Sequence, residues 1–215
     1  MIMTTHIDLE AISDHISKNI GSIHQIFHEI VSDDLHIDIC HVKSSLFRRY
    51  EVLVTMGMSA KPMVMPEDSD EPRYMELIII LPKGWPLDKM SFYNENHYWP
   101  IRLLKDLARY VHHDNTWFGF GHTIANSESE NSLANYSPNT GFCACTLLPS
   151  LTLGESSYVL RKESDSENTA FLTVVPIYKG ELMYKFENGI DALLDLFDQF
   201  KVSDRVDIKR GAVVP

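Results

Sequence analysis

YMELIIIL, residues 74–81, is apolar at nearly every position, and its length and β-branched content predict a strand. A strand with one solvated face alternates apolar and polar residues. One that is apolar on both faces must be covered on both. Residues 74–81 are therefore expected at the centre of a sheet with a layer on either side. Upstream, HIDICHV at 36–42 and EVLVTMG at 51–57 alternate or run apolar with β-branched residues, as strands do. Downstream, TWFGFGHTI at 116–124, FCACTLL at 142–148, SSYVLR at 156–161 and TAFLTVVPIY at 169–178 read the same way.

Helical periodicity frames these strands. Leu9, Ile12, Ile16, Ile20, Ile23, Phe27 and Ile30 recur at spacings of three and four, which predicts a helix over 6–31 with a weak point at Gly21. Pro100 is expected to open a second helix, with Ile101, Leu104, Leu107, Ala108 and Val111 as its apolar stripe and His112, His113 and Asn115 at its end. A last helix is expected from about Gly189 to Phe200, with Ile190, Leu193, Leu194, Phe197 and Phe200 on one side. Strands outnumber helices without strict alternation. The expected class is α+β, a single domain over 1–215 with a mixed, largely antiparallel sheet flanked by helices.

The 215 residues carry 30 acidic and 19 basic side chains, a net charge of -11 with His neutral. Such a surface repels phosphate backbones, which argues against direct nucleic-acid binding and suits a basic protein partner, although acidity also serves solubility. Three cysteines, Cys40, Cys143 and Cys145, make no disulfide framework and fit a reducing compartment. MIMTTHIDLE lacks the basic opening of a signal peptide, and the LIIIL run at 77–81 is far short of a membrane span. A soluble cytoplasmic protein is expected.

Motifs that carry chemistry are incomplete. His24 and His28 share a helix face in this reading, but Gln25 stands where a zincin has its Glu, so no metal is expected. Cys143 and Cys145 project to one face of a period-two strand, as small hydrophobes rather than metal ligands. Gly57-Met58-Ser59-Ala60-Lys61 begins like a nucleophile elbow but ends in Lys61 where the tight turn needs Gly. Gly119 and Gly121 lack the third glycine and following helix of a dinucleotide fingerprint. His112, His113 and His122 are acid–base residue types without a partner fixed by spacing. No catalytic residue and no cofactor are expected.

Acidic features remain. KPMVMPEDSDEPR at 61–73 is an exposed loop by composition, with Glu67, Asp68, Asp70 and Glu71 between Pro66 and Pro72. Glu187, Asp191, Asp195 and Asp198 fall at spacings of four, four and three, an anionic stripe beside the apolar face of the last helix. NSESENSLANYSPN at 126–139 reads as a polar surface loop. Either acidic cluster is a solvated face or a docking surface for a basic partner.

Trp99-Pro100, Leu104, Leu107-Ala108-Arg109-Tyr110-Val111, Asn115-Thr116 and Gly121-His122 resemble the suppressor-of-fused domain family. The resemblance continues through FLTVVPIYKGEL at 171–182 and GIDALLDLF at 189–197. VTMGMS at 54–59 and ELIIILPKGWP at 76–86 are similar to its bacterial members, and the whole covers roughly 35–210.

The resemblance implies a binding protein. Animal members hold Gli-type transcription factors through a short extended peptide captured between this domain and a C-terminal one. Bacterial single-domain relatives look like immunity proteins that neutralise polymorphic toxins. What the resemblance implies here is a cytoplasmic, non-catalytic immunity protein binding a basic toxin domain one to one. Its expected contacts are Ser59, Glu67, Asp68, Asp70 and Glu71, at the Gly-x-Ser turn and the acidic loop that match the ligand-facing region of the family. The alternative is a regulatory or scaffold module that pairs an endogenous peptide with a sheet edge. A third is an enzyme using the 112/113/122 histidines.

Overall fold

The apolar run at 74–81 lies in mid-sheet, as its two-faced hydrophobicity requires. The computed structural model describes residues 9–29, 35–127, 132–164 and 167–214. Among them, helix α1 (Leu9–Asn19) precedes strands β1 (Ile23–Phe27), β2 (Asp38–Val42), β3 (Tyr50–Met56) and β4 (Tyr74–Pro82). Helix α2 (Glu95–His113) follows, then β5 (Thr123–Ala125), β6 (Phe142–Leu148), β7 (Val159–Leu160) and β8 (Thr169–Tyr178), and last α3 (Lys179–Asn188) and α4 (Ile190–Phe200). The strands form one sheet of eight in the order β1-β2-β3-β4-β8-β6-β5, with β7 added beside the start of β8. β4 and β8 run parallel and the other pairs antiparallel, so the expected class, α+β with a mixed, largely antiparallel sheet, is the one observed.

Alternation along β4 sorts two cores. Leu77, Ile79 and Leu81 pack with Leu53, Leu172 and Val174 beneath α2, whose Trp99, Leu104, Leu107, Ala108 and Val111 cover that face. Ile78 and Ile80 turn the other way, onto Val52, Val54, Phe171 and the Ile12, Ile16 and Ile20 stripe of α1. Further along the same second face, Ala144, Val175 and Ile177 are covered by Leu182 of α3 and by Leu193 and Phe197 of α4. Burying a side chain of this size contributes about 1.5–3 kcal/mol, and the two-sided β4 collects that gain on both faces.

Several expectations change. The helix over 6–31 ends at Asn19 and gives way to β1. Gly21 has φ 144°, the Ile20 carbonyl accepts from Arg48 Nη1 at 2.6 Å, and a Cβ on Gly21 would fall 2.2 Å from that nitrogen. The break is thus made by a side chain from the β2–β3 connection. His24 therefore lies on a strand and His28 just beyond it, not on a helix face; Ile30 is outside the described residues.

The second helix does not open at Pro100. It starts at Glu95 behind Asn94, whose side chain caps the Asn96 N–H at 3.0 Å. Pro100 sits inside the helix, where its missing N–H leaves the Asn96 carbonyl without the usual partner. Asn139 Nδ2 donates to that carbonyl instead, at 3.3 Å.

TWFGFGHTI is a strand only over Thr123–Ala125, because the chain turns at Gly121 (φ 71°) with the His122 N–H on the Gly119 carbonyl at 3.2 Å. SSYVLR shrinks to the two residues of β7. The register shifts between Phe142 and Ala144, so Phe142 and Cys145 share the α2-side core and Cys143 sits in the irregularity rather than one period from Cys145. Helix α3 is unanticipated, since its N-cap is Tyr178, not a usual capping residue; Glu181 Oε2 accepts the Tyr178 N–H at 2.9 Å. It also divides the anionic stripe: Glu187 belongs to α3, and Asp191, Asp195 and Asp198 to α4. Residues 128–131 of the expected polar loop are outside the described residues.

Candidate functional site

The Gly57–Ala60 turn that follows β3 is organised by a carboxylate buried in the next strand. Glu76 has no exposed surface. Its Oε1 accepts from the Gly57 N–H (3.0 Å), the Ser59 N–H (3.1 Å) and the Ser59 hydroxyl (2.7 Å), and its Oε2 from the Thr55 hydroxyl (2.6 Å). Thr55 Oγ1 in turn accepts the Leu77 N–H at 2.7 Å. Burial pushes the Glu76 carboxyl up from its ordinary range, against the pull of these donors. Ser59 is half-buried, and its hydroxyl is committed to this carboxylate.

The turn launches the acidic loop. Glu67, Asp68 and Asp70 are exposed and Glu71 is half-buried. The loop is closed at its base by the Met63 N–H on the Arg73 carbonyl (2.8 Å) and shaped inside by the Ser69 N–H on the Pro66 carbonyl (3.2 Å) and the Glu71 N–H on Ser69 Oγ (3.3 Å). The Glu71 side chain reaches the 117–122 turn: a Cβ built on Gly119 would lie 3.4 Å from its carboxyl carbon and 2.7 Å from the Trp117 ring. Trp117 meets His122 edge to face at 4.4 Å.

Beyond that turn a groove of about 640 Å³ runs between α2 and the edge strand β5. Leu103, Leu107, Phe118 and Ile124 give it an apolar floor; Arg102, Asp106, His122 and Lys185 supply polar groups around it. Burial lowers the affinity of His122 for a proton and raises that of Asp106. Arg102 is held in place by the Tyr136 carbonyl (2.8 Å) and by Glu95 Oε2 (3.2 Å).

Among the described residues β5 pairs with β6 alone. The Leu147 N–H bonds the His122 carbonyl at 2.9 Å and the Asn126 N–H bonds the Cys143 carbonyl at 2.8 Å, so even-numbered residues face β6. By the alternation of an antiparallel ladder, the peptide groups of Thr123 and Ala125 point away from β6. The Ala125 carbonyl accepts the Ser127 N–H at 3.1 Å, which leaves the Thr123 N–H and carbonyl and the Ala125 N–H along this edge. A groove with an apolar floor and a polar rim, beside a strand edge that pairs with no further strand among the described residues, is suited to an extended polypeptide, with backbone pairing for affinity and side-chain pockets for selection. Sequence reasoning missed this groove. Its trace was two large residues off the buried stripes, Tyr110 at 42% and Phe186 at 62% exposure, both of which line it.

The other candidate residues are dispersed. His112 Nε2 contacts the Met58 carbonyl at 3.0 Å, His113 Nδ1 the Asp114 carboxylate at 2.7 Å, and His122 the Trp117 ring. His28 Nδ1 and His36 Nε2 bracket the two oxygens of Asp38, each at 2.8 Å, while His24 meets the His41 ring edge-on. No group of three or more His, Cys, Asp or Glu able to hold a metal ion occurs among the described residues. Burial pushes the Cys40 and Cys145 thiols up to about 12, far from a nucleophilic thiolate. Asp191, Asp195 and Asp198 are exposed on α4, as Glu187 is on α3.

Residues 33–211 match the family model described as suppressor of fused protein. The chain belongs to the suppressor of fused family. Solved relatives share the fold at low identity. A suppressor of fused homolog from Neisseria gonorrhoeae FA 1090 superposes with a TM-score of 0.67 at 16% identity, over 96% of this chain and 96% of its own. A chain of the Sufu–Fu complex gives 0.64 at 17%, covering 95% of this chain and 91% of that one. Drosophila Suppressor of Fused gives 0.64 at 15%, over 96% of this chain and 51% of the fly protein, so this chain spans about half of that relative. No curated protein sequence matches. The suppressor of fused family is one of protein-interaction domains. Among the described residues no helix is long and apolar enough to cross a membrane.

Proposed function

We propose that this suppressor of fused domain works by holding an extended segment of another protein along the outer edge of β5, and that it serves in the cytoplasm as an immunity protein. In that role it occludes a basic toxin domain one to one and performs no chemistry of its own. The observation that carries the binding mode is the outward-facing Thr123 peptide and Ala125 N–H beside the groove of α2, whose floor is apolar and whose rim is polar.

The net charge of -11 supports a basic partner. So does the place of the acidic loop, whose Glu71 packs against Gly119 at the turn leading into β5. Glu67, Asp68, Asp70 and Glu71 steer the partner toward the groove, and Ser59 fixes the turn from which the loop departs. A regulatory module binding a cellular peptide would use the same edge without the strong dependence on charge.

The test is capture of partners from the source cell by the tagged chain, its Ala125→Pro variant and its Asp68→Lys/Asp70→Lys variant. Proline is tolerated on an edge strand where the lost N–H faces outward, so Ala125→Pro removes a docking donor without breaking the β6 ladder. A basic protein retained at one-to-one stoichiometry, lost with Ala125→Pro and associating about tenfold more slowly with the charge-reversed loop, is the expected result. Equal retention by all three chains overturns the assignment of the edge and the loop. A salt-insensitive regulator lost only with Ala125→Pro moves the reading to the scaffold alternative.

A further inference from the structure

A second cavity, of about 500 Å³, lies where the β3–β4 pair meets the chain leaving α4. Tyr50 and Pro82 are directly opposite each other in that pair, and the Val206 N–H bonds the Ile80 carbonyl at 2.8 Å, which holds 201–206 against the end of β4. Five cations line the cavity, Arg49, Lys83, Lys201, Arg205 and Arg210, with one carboxylate, Asp207.

Arg210 is neutralised by Glu181, at 2.6 Å and 2.7 Å, and forms part of the frame. The other four are exposed, and among the described residues none of them forms an ion pair. Asp207 Oδ1 is occupied by the Lys209 N–H at 2.9 Å. In a chain with 30 acidic and 19 basic side chains, four unpaired cations around one cavity run against the composition, and their mutual repulsion is relieved by an anion between them.

We propose that this cavity binds a small ligand carrying two or more phosphoryl groups. A compact polyanion matches four cations better than a single carboxylate does, and arginine in particular grips phosphate oxygens through paired N–H donors. The volume falls within the usual range of small-molecule sites. At the end of α4 the Phe197 and Asp198 carbonyls are taken by the Val202 and Lys201 N–H groups, which reduces the negative potential that a helix C-terminus presents to an anion. Ser203 Oγ accepts the Arg205 N–H at 3.2 Å and keeps its own proton to donate. The surrounding negative surface repels a nucleic acid but admits a small anion into a recess of opposite sign. Tyr50 and Phe200, on the lining, offer ring surface to a base or other planar group attached to the phosphates.

The test is calorimetric titration of the full chain with pyrophosphate at low salt, repeated with ATP. One saturable site is expected, weakened by about tenfold or more in Lys83→Gln/Arg205→Gln and unchanged in Lys18→Gln, which alters an exposed cation of α1 outside the cavity. Circular dichroism confirms that both variants fold. ATP binding more tightly than pyrophosphate adds the rings to the site; equal affinities confine recognition to the phosphates. Absence of pyrophosphate binding by the unaltered chain, or equal binding by Lys83→Gln/Arg205→Gln, overturns the proposal.

Discussion

The Ser59 hydroxyl donates to Glu76 Oε1 at 2.7 Å, joining the turn that follows β3 to the middle of the sheet. Three other neutral donors, the Thr55 hydroxyl and the Gly57 and Ser59 N–H groups, complete the ring around this carboxylate. Removing the Ser59 donor leaves one fewer hydrogen bond on a buried carboxylate. Replacing Glu76 with Gln turns an amide N–H₂ toward donors and strands at least one of them.

Ser59→Ala is therefore expected to cost about 1–2 kcal/mol and Glu76→Gln about 2–4 kcal/mol in urea unfolding. Lys89→Gln, at an exposed position before α2, serves as a surface reference within about 0.5 kcal/mol of the unaltered chain. If Ser59→Ala left stability unchanged and weakened partner capture, Ser59 would instead be a contact residue in its own right.

Acid sensitivity is expected to pass through Glu51. Its Oε2 accepts from His41 Nε2 (3.0 Å) and the Ser44 N–H (2.8 Å), and its Oε1 from the Gly84 N–H (3.1 Å). Burial acts to raise its affinity for a proton, but these hydrogen bonds outweigh it and hold the carboxyl at about 2, below the ordinary 4.5. The unfolded chain takes up a proton at a higher pH than the folded one. The Glu51 contribution is thus fully present above pH 4.5 and lost as pH falls toward about 2. Urea midpoints measured across that window should fall less steeply for Glu51→Gln than for the unaltered chain, and parallel slopes would refute the role of Glu51.

The pairing of Pro100 with Asn139 predicts a coupling. In the unaltered chain Asn139→Ala deprives the Asn96 carbonyl of its donor and is expected to cost about 1 kcal/mol. In a Pro100→Ala background, residue 100 regains an N–H for that carbonyl, and the same Asn139→Ala change should cost less, the remainder being the loss of Asn139 Oδ1 as acceptor for the Ser137 hydroxyl at 2.5 Å. Additive costs across the double-mutant cycle would show that Asn139 acts elsewhere.

Hydrophobic patterning made much of the fold legible. The two-faced run at 74–81 identified the central strand, and the strands at 36–42, 51–57, 142–148 and 169–178 fall close to where periodicity and β-branched content put them. The Leu104, Leu107, Ala108 and Val111 stripe is buried beneath the sheet as its spacing required. Period alone could not separate α1 from β1, because Ile23 and Phe27 lie at a spacing that fits a helix face and a strand face alike. The acidic loop was legible from its prolines and charges; the groove beside β5 was not, since no local pattern marks it.

The sequence by itself determined the α+β class, the identity of the central strand, the acidic character of the surface and the family to which the chain belongs. Tertiary structure alone decided where α1 ends, since Arg48 closes over Gly21 from 27 residues away. It also decided that α2 begins before Pro100, that the Ser59 hydroxyl is committed to Glu76, and that four exposed cations gather about one cavity. The physical reason is range. Burial is written residue by residue in the apolar period, whereas the satisfaction of a carbonyl, a carboxylate or a cluster of like charges depends on partners that only the folded chain brings together.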